Sequence, residues 1–201
     1  VSMINIFDRP LSDSGLLAKA IEDRVGAALL LVALSPVFFL IALAVRLDSA
    51  GPALFRQTRY GFNNEEFTVF KFRTMRTDSQ PPPDDTLHGV EQARRDDPRT
   101  TRIGRLLRRT SLDELPQLLN VLAGNMSLVG PRPHAVAHKH QYSRIIDEYF
   151  SRHRVKPGIT GWAQVNGLRG ETDTPEKMRK RVEYDVYYID HWSLIFDLRI
   201  L

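Results

Sequence analysis

Two adjacent carboxylates, Asp113 and Glu114, are the residues of this sequence best suited to catalysis. They follow a run of arginines that ends at Arg109, and Pro116 comes shortly after them. A carboxylate can attack phosphorus directly, as it does in aspartyl-phosphate enzymes. Magnesium often takes one or two carboxylates together with phosphate oxygens. The pair is therefore suited to act as an anionic nucleophile beside a Mg²⁺ ligand.

Helix capping explains the same two residues. With Ser111 as N-cap, Glu114 would complete a capping box. With Asp113 as the cap, Pro116 would fall in the first helical turn, where proline is tolerated. Either register places both carboxylates at the positive end of a helix dipole and close to Arg108, which keeps them ionised. The residues alone leave capping and chemistry both open.

Asp185 occupies an unexpected position in a predicted C-terminal helix. This helix begins with Thr174 as N-cap and Pro175 as its first residue, and it runs to about Asp190. Asp185 falls on the apolar stripe of the helix, and a carboxylate that faces a core needs a partner. A salt bridge with Arg132 and a role in a site are both open. The stripe consists of Met178, Val182, Val186 and Ile189.

Arg132 lies in the rigid turn Gly130–Pro133, which presents a single guanidinium. Such presentation suits bidentate phosphate binding, and it suits a structural ion pair equally well. Three histidines follow at positions 134, 138 and 140. Without an obvious further ligand, they predict a surface helix rather than a zinc site.

The composition sets broad limits on the class of protein. A length of 201 residues favours one domain with a real core. Arg and Lys number 28 against 24 acids, and the net charge of +4 suits an anionic partner. The absence of cysteine excludes disulfides, thiolate metal sites and a cysteine nucleophile. The start at Val1 and the end at Leu201, within a hydrophobic pattern, predict a fragment of a longer chain.

A long apolar run, 25–45, contains no charged residue. As a straight helix it would span about 30 Å, enough to cross the hydrocarbon core of a bilayer. It is apolar on every face, which is untypical of a buried helix in a soluble core. We predict a membrane helix within residues 21–50, ended by Pro52.

The centre of this run carries the pair Ser35-Pro36. Proline removes a backbone hydrogen bond and kinks a helix, and a serine hydroxyl can satisfy the freed carbonyl. Cations flank both ends, which the positive-inside tendency would place on the cytoplasmic side. A straight span and a re-entrant hairpin within one leaflet are both compatible with the residues. The flanking cations are Lys19, Arg24, Arg46, Arg56 and Arg59.

The remainder predicts an α+β domain that is mostly helical. Aromatic and β-branched segments on both sides of Phe62-Asn63-Asn64 indicate a small β-hairpin. The stretch Thr77–Pro98 indicates an exposed, mobile loop. Arginines at helical spacing between Arg99 and Arg109 predict a basic amphipathic helix. Its cationic face is either simply solvated or docks on a membrane surface or a phosphate. Further predicted helices cover 115–123 and 138–153.

Six segments carry long motifs in a fixed order: LSP within the apolar run, GPALFRQTRYG, FTVFKFRTM, RRTSLDELPQLLNVLAGNMSLVGPRP, RHRVKPGITGWAQVNG and RVEYDVYYIDHWS. Together they resemble the bacterial sugar transferases, the monotopic polyprenyl-phosphate phosphoglycosyl transferases. The resemblance covers about Ile21–Leu201.

The resemblance implies a reaction and a set of roles. Family members transfer a sugar-1-phosphate from a UDP-sugar to undecaprenyl phosphate and release UMP. By this match Asp113 attacks the phosphorus that bears the sugar and forms a phosphosugar-aspartyl intermediate, while Glu114 helps to hold Mg²⁺. The lipid phosphate then attacks the intermediate. Arg108 and Arg132 match arginines near the phosphates, and Asp185 matches an acid of the active-site neighbourhood.

The resemblance also implies a location. A re-entrant helix broken at Ser35-Pro36 and amphipathic interfacial helices would seat the catalytic part on the cytoplasmic face of the bacterial inner membrane. This position suits the first membrane step of exopolysaccharide or O-antigen synthesis. Residues 1–201 would then be a single catalytic domain from a longer chain.

The stretch KPGITGWAQVNGLRGETDT most resembles glucose-1-phosphate transferases of the multi-span type. UDP-glucose is therefore the expected donor, with galactose-1-phosphate transfer open, and the oligomeric state is not indicated. A non-enzymatic scaffold would leave the pair Asp113 and Glu114 unexplained. A CDP-alcohol transferase would need several spaced aspartates, and a nucleic-acid binder fits poorly beside a lipid-type helix.

Overall fold

The computed structural model of the protein describes residues 13–77, 97–133, 153–170 and 174–201. Within these ranges the chain is mostly helical and carries two small two-stranded sheets, as the sequence predicted for the hairpin. The helices are α1 (Asp13–Asp48), α2 (Arg102–Thr110), α3 (Gln117–Leu122), α4 (Trp162–Val165), α5 (Pro175–Asp190) and α6 (Leu194–Ile200). The strands are β1 (Leu54–Tyr60), β2 (Glu66–Phe72), β3 (Ser127–Val129) and β4 (Gly158–Thr160).

Helix α1 is a single element of 36 residues that passes through Pro36. The hydroxyl of Ser35 donates to the carbonyl oxygen of Val32 at 2.8 Å. This is the carbonyl that Pro36, which has no N–H, leaves without its helical donor. The predicted function of Ser35 is confirmed, whereas a helix break is not seen. The re-entrant topology therefore remains a prediction.

The apolar side chains of α1 are largely exposed, which distinguishes it from the core helix of a soluble protein. Val32, Phe39 and Leu47 are 75%, 69% and 79% exposed, while Ala27 and Val45 are buried against the rest of the fold. Within the described ranges, α1 is the one helix long and apolar enough to cross a membrane. It begins at Asp13, earlier than the start predicted within residues 21–50.

Strands β1 and β2 form the predicted antiparallel hairpin, with Leu54 opposite Phe72 and Tyr60 opposite Glu66. A short 3₁₀ turn at Phe62–Asn64 joins them, and Asn63 adopts φ 51°. Asparagine tolerates this left-handed conformation better than most residues. The local turn signal therefore located the hairpin correctly.

Arg73 follows β2 directly and binds the C-terminal end of α1. Its guanidinium, part of a side chain only 2% exposed, donates to the carbonyl oxygens of Ser49 (2.6 Å) and Ala50 and to the hydroxyl of Thr77 (2.7 Å). The last carbonyls of a helix have no intrahelical donor, so a buried cation is well satisfied there. This arginine clamp fixes the end of α1 to the end of β2.

Helix α2 confirms the predicted basic helix and packs closely on the chain after β2. The hydroxyl of Thr101 caps it by accepting from the N–H of Gly104 at 2.9 Å. A Cβ at Gly104 would come within 2.1 Å of the carbonyl oxygen of Thr74, so only glycine permits this approach. The contact brings Arg108 to Thr74, where its Nε donates to the threonine hydroxyl at 2.9 Å.

Helix α3 is fixed to the free edge of β2 by one side chain. Asn120, which is buried, donates to the carbonyl oxygen of Thr68 at 2.6 Å and accepts from the N–H of Phe70 at 3.0 Å. These bonds satisfy backbone groups that would otherwise lie unpaired at a strand edge. The turn before α3 is thereby held beside β2.

Two parts of the fold differ from the sequence prediction. The segments around Ser127 and Gly158, where the sequence predicted no strand, form the parallel pair β3 and β4. A Cβ at Gly158 would lie 2.1 Å from the N–H nitrogen of Gly130, so this close crossing requires glycine. Helix α6 follows the helix predicted to be the last; Ser193 caps it by accepting from the N–H of Phe196. Nearly all of the predicted helix over 138–153 and most of the predicted loop Thr77–Pro98 lie outside the described residues.

Candidate active site

Three segments that are distant in sequence bring the candidate site together. Asp113 and Glu114 lie in the 3₁₀ turn Leu112–Glu114, between α2 and α3. Lys71 comes from β2, which α3 holds through Asn120. Arg132 follows β3, whose pairing with β4 fixes the start of its loop. The hairpin, the α2–α3 turn and the loop after β3 therefore meet around the carboxylates.

Glu114 is clamped by two cations. Arg132 binds it in a bidentate manner, with Nη1 to Oε2 at 2.9 Å and Nη2 to Oε1 at 2.5 Å. Lys71 Nζ donates to Oε1 at 2.9 Å. The residue is only 8% exposed. Burial by itself would raise the pKa of Glu114, but the charges and hydrogen bonds of Arg132 and Lys71 hold this pKa well below its ordinary value.

Asp113 has the opposite environment although it is the adjacent residue. Within the described ranges, its carboxylate accepts no hydrogen bond. Burial, together with the negative charge of Glu114, raises the pKa of Asp113, while Lys71 and Arg108 oppose this. A carboxylate that is weakly stabilised and unbonded keeps its lone pairs available for a new bond. Neighbouring carboxylates with pKa values pushed in opposite directions are typical of groups with different chemical roles.

Further cations surround the pair. Arg59 of β1 is close enough to Arg132 and Glu114 to be affected by both charges; burial, aided by Arg132, lowers the pKa of Arg59 to about 10, so it remains charged at neutral pH. Arg108 donates hydrogen bonds to the hydroxyls of Thr74 and Thr100 and interacts electrostatically with Asp113. Among the described residues, four cations thus accompany two carboxylates, a positive surplus that suits a polyanion.

Both capping predictions for the carboxylate pair are wrong. Ser111 adopts a left-handed conformation (φ 63°) and makes no side-chain cap bond, and its carbonyl oxygen accepts from the N–H of Glu114. Helix α3 begins at Gln117 with Pro116 before it, so Asp113 is not its cap. The side chain of Glu114 instead reaches across the fold to Lys71 and Arg132. The simple structural explanation of the pair therefore fails.

The other predicted site residues have different outcomes. Arg132 and Arg108 lie in the cluster as described. Asp185 is buried on α5, as its position on the apolar stripe predicted. Its pairing with Arg132 and its role in the site stay predictions.

The histidines at 134, 138 and 140 lie outside the described residues. Across the ranges that the structure describes, there is no group of three or more His, Cys, Asp or Glu side chains able to hold a metal.

Sequence reasoning did not identify Lys71, and it considered Arg59 only as a flanking charge. Lys71 interrupts a run of aromatic and aliphatic residues in β2, and a lysine in such a strand needs an anionic partner when it is buried. The unusual position of Lys71 was thus visible in the sequence. The identity of its partner, Glu114, was not, because the two residues are 43 positions apart.

Comparisons with known proteins identify the family of the chain. The model of the bacterial sugar transferase family matches residues 14–201. The chain belongs to the bacterial sugar transferase family. A UDP-glucose:undecaprenyl-phosphate glucose-1-phosphate transferase of Escherichia coli K12 is 56% identical over 201 residues, which is all of this chain and 42% of that relative. This bacterial sugar transferase chain thus spans about two fifths of the length of that curated relative.

Two further relatives of the sugar transferase family differ in length and in named substrate. The exopolysaccharide production protein PSS of Rhizobium leguminosarum is 47% identical over 92% of this chain and 92% of that protein. A UDP-N-acetylgalactosamine-undecaprenyl-phosphate N-acetylgalactosaminephosphotransferase of Aeromonas hydrophila is 40% identical over 89% of this chain and 40% of that protein. A segment of this size therefore makes up nearly all of one relative. The relatives are named for more than one donor sugar.

Proposed function

We propose that this protein transfers a sugar-1-phosphate from a UDP-sugar to undecaprenyl phosphate and releases UMP. Glucose-1-phosphate is the transferred group that the relatives favour, since the E. coli and Klebsiella pneumoniae relatives are both named for UDP-glucose. The observation that carries the proposal is the contrast between Asp113 and Glu114. Among the described residues, Glu114 is clamped by two cations and Asp113 accepts no hydrogen bond, inside a cluster with a positive surplus.

The surplus of cations supports a diphosphate as the donor group. Lys71 and Arg132 share the single negative charge of Glu114. Arg59 lies close enough to be influenced by this pair. A diphosphate would supply the missing negative charge, and guanidinium groups match phosphate oxygens in a bidentate geometry.

The proposed reaction has two steps, and Asp113 is the nucleophile. An Oδ atom of Asp113 attacks the phosphorus that bears the sugar, and the bond from that phosphorus to the bridging oxygen breaks. UMP leaves with the electron pair of that bond, and an aspartyl-phosphosugar remains. A phosphate oxygen of the lipid then attacks the same phosphorus. The bond to Asp113 breaks, the carboxylate is regenerated, and a lipid diphosphate sugar is formed.

Glu114, Lys71 and Arg132 act on charge and position in this scheme. Because Glu114 is held on both oxygens, it fixes Lys71 and Arg132 next to Asp113. Lys71 and Arg132 are then placed to neutralise the negative charge that develops on the phosphoryl group. Arg108 of α2, whose guanidinium is fixed by Thr74 and Thr100, lies close enough to Asp113 to interact with its charge.

Magnesium fits this site only if the substrate supplies most of its ligands. Glu114 accepts two hydrogen bonds on Oε1 and one on Oε2. A carboxylate has about four acceptor positions, so one remains on Oε2. Glu114, with Asp113 beside it, would hold Mg²⁺ through that position. The ion would supply charge neutralisation on the diphosphate, and Mg²⁺ commonly combines one or two carboxylates with phosphate oxygens.

We propose that α1 seats the protein in one leaflet of the bacterial inner membrane, with the site on the cytoplasmic face. The exposed apolar face of α1 supports contact with lipid. The bond from Ser35 to Val32 supports a proline site that can bend without leaving a bare carbonyl in lipid. Undecaprenyl phosphate presents its phosphate at the same interface, which suits the first membrane step of exopolysaccharide or O-antigen synthesis.

The decisive experiment is to incubate the purified protein with UDP-glucose and Mg²⁺ without lipid. We expect a stoichiometric burst of UMP and a phosphosugar adduct on the peptide that contains Asp113, detected by mass spectrometry. UDP-galactose and UDP-N-acetylgalactosamine serve as matched donors and identify the sugar. A protein that turns over with lipid but forms no adduct without it would contradict the covalent route.

A separate measurement tests the topology. Single cysteines placed before Lys19 and after Arg59, in this cysteine-free chain, should react with an impermeant reagent from the same side of the membrane. Labelling from opposite sides would establish a straight span instead.

A further inference from the structure

The segment that follows α4 is held in place by a buried arginine. Arg181 of α5 is 5% exposed. Its Nε and Nη2 donate to the carbonyl oxygen of Leu168 at 3.0 and 2.5 Å, and its Nη2 donates to that of Gly170 at 3.0 Å. Arg169 lies between these two carbonyls. The backbone is therefore fixed on both sides of Arg169, and this side chain is presented from a defined position.

Arg169 reaches the carboxylate turn. Its Nη2 donates to the hydroxyl of Ser111, 58 positions earlier in the chain. Ser111 is the left-handed residue between α2 and the turn that carries Asp113. Two peptide units separate Ser111 from Asp113, so their Cα atoms are at most about 7.6 Å apart. Arg169 thus lies at the edge of the candidate active site.

The bond to Ser111 does not account for this arrangement. Arg169 is exposed, and within the described residues its guanidinium has no carboxylate partner. A hydrogen bond from an exposed arginine to a neutral hydroxyl contributes little to stability. A guanidinium has five N–H donors in a planar fork, so most of them remain available here. Lys71 and Arg132, in contrast, are already bound to Glu114.

We propose that Arg169 is a further substrate-binding residue, which binds a phosphate group of a substrate as that group reacts at Asp113. Arg181 is the positioning residue that holds it there. On binding, the guanidinium exchanges the hydroxyl of Ser111 for phosphate oxygens, which it matches better. This inference rests on the proposed function. The phosphate belongs either to the sugar-nucleotide donor or to the lipid acceptor, and the two half-reactions distinguish these sources.

The test compares Arg169→Ala and Arg169→Lys with the wild-type protein in both half-reactions. If Arg169 binds the donor, Arg169→Ala slows adduct formation from UDP-glucose without lipid by roughly 10- to 100-fold. If it binds the acceptor, the adduct forms at the normal rate and the KM for undecaprenyl phosphate rises by roughly that factor. Arg169→Lys should recover part of the loss, because it keeps the charge without the fork.

Two controls separate binding from structure. Arg179→Ala removes an exposed arginine from α5, where it lies 4.0 Å from Glu183, and should leave both half-reactions unchanged. Ser111→Ala removes the present partner of Arg169 and should change either rate less than threefold. Arg181→Gln should show the same kinetic change as Arg169→Ala, in addition to any decrease in melting temperature.

The outcomes decide between the proposals. If Arg169→Ala matches wild type in both half-reactions, Arg169 is not a binding residue, although the proposed function stands. If Ser111→Ala loses as much activity as Arg169→Ala, the bond between these residues is what matters, and phosphate binding by Arg169 is overturned. If the wild-type protein itself forms no adduct and releases no UMP, the proposed function and this inference both fail.

Discussion

Two clusters of charged side chains in this fold have opposite surpluses of charge. Around Glu114, the cations among the described residues outnumber the carboxylates. In a second cluster, Lys19 of α1 is the cation that meets three acids of the described chain: Asp197 at 2.6 Å, Asp23 at 3.1 Å and Glu22 at 3.8 Å. Asp197 is fully buried. A charged carboxylate in such a position needs a permanent partner, which Lys19 provides.

Neutral donors bind two acids of the acid-rich cluster, whereas both side-chain oxygens of Glu22 are buried without a hydrogen-bond partner among the described residues. Asp197 also accepts from the hydroxyl of Tyr188 at 2.7 Å and from the indole N–H of Trp192 at 3.0 Å. Asp23 accepts from the hydroxyl of Ser127 and the N–H of Leu128. Burial and the charge of Asp197 raise the pKa of Tyr188 well above its ordinary range, so it stays a hydrogen-bond donor. This cluster ties α1 to β3, α5 and α6.

The difference shows how a structural cluster and a chemical one can be told apart. In the acid-rich cluster, Asp23 and Asp197 each accept several hydrogen bonds from groups of the protein itself. In the cluster around Glu114, Asp113 accepts no hydrogen bond from the described residues, and the cations among these residues exceed the carboxylates. A group left incomplete beside surplus opposite charge indicates that a substrate completes the arrangement.

The largest expected effect is on turnover. Asp113→Asn keeps the shape of the side chain but removes the nucleophile, and we expect it to slow UMP release by about 10³-fold or more. The melting temperature should stay equal or rise, because a carboxylate with a pKa raised by burial is lost. A variant within tenfold of wild-type turnover would show that Asp113 is not the nucleophile.

The acid-rich cluster should respond in the opposite way. Asp197→Asn removes the charge that Lys19 contacts and disturbs the bonds from Tyr188 and Trp192. We expect it to lower the free energy of unfolding by about 3 kcal/mol, since Lys19 keeps Asp23 as a partner. Activity per folded molecule should be preserved. Equilibrium unfolding in detergent measures the first quantity, and a large loss of kcat in stable protein would contradict the structural assignment.

The pH dependence separates the two carboxylates of the site. Adduct formation requires ionised Asp113, whose pKa is raised by burial above the ordinary 3.8. The single-turnover rate should therefore rise with pH, and the midpoint of this rise should lie above pH 3.8. A midpoint at or below pH 3.8 would contradict the raised pKa of Asp113.

Stability should respond to the same two groups with opposite signs. Glu114, with its lowered pKa, contributes stability that is present above its ordinary pKa and is lost as pH falls through its folded value. Asp113 costs stability at neutral pH, and this cost is relieved as pH falls through its folded pKa. Comparing the acid unfolding of Glu114→Gln and Asp113→Asn with wild type measures both signs.

The smallest effect is expected at an exposed ion pair. Arg154 and Asp190 lie 3.4 Å apart, and their side chains are 40% and 51% exposed. Asp190→Asn should change the free energy of unfolding by less than about 1 kcal/mol and leave turnover unchanged. A loss comparable to that of Asp197→Asn would mean that burial is not what distinguishes the two aspartates.

Local signals in the sequence predicted the elements that depend on local interactions. Thr174 and Pro175 located the start of α5, where the threonine hydroxyl accepts from the N–H of Lys177. The Asn63 turn located the hairpin. The early start of α1 was missed because polar residues at its beginning are stabilised by partners such as Asp197, which are distant in sequence.

The chemistry of the candidate site could be predicted only in part. The types of Asp113 and Glu114 indicated catalysis, but the choice between capping and chemistry depends on where the side chain of Glu114 points. Its partners Lys71 and Arg132 are 43 and 18 positions away. Asp113 and Glu114 looked equivalent in the sequence, and their different environments follow from these tertiary contacts. Short strands such as β3, stabilised mainly by pairing with β4, leave little periodic signal.

The arginine clamp at the end of α1 has a consequence for where the reaction can take place. Arg73, directly after β2, binds the end of the helix, and Lys71, two residues earlier in β2, binds Glu114. An extended strand rises by about 3.3 Å per residue, so these two positions are about 7 Å apart. If α1 is immersed in lipid as proposed, β2 holds the reaction centre at a fixed distance from the end of this helix. The depth of the end of α1 in the membrane would then set the height of the reaction centre above the hydrocarbon.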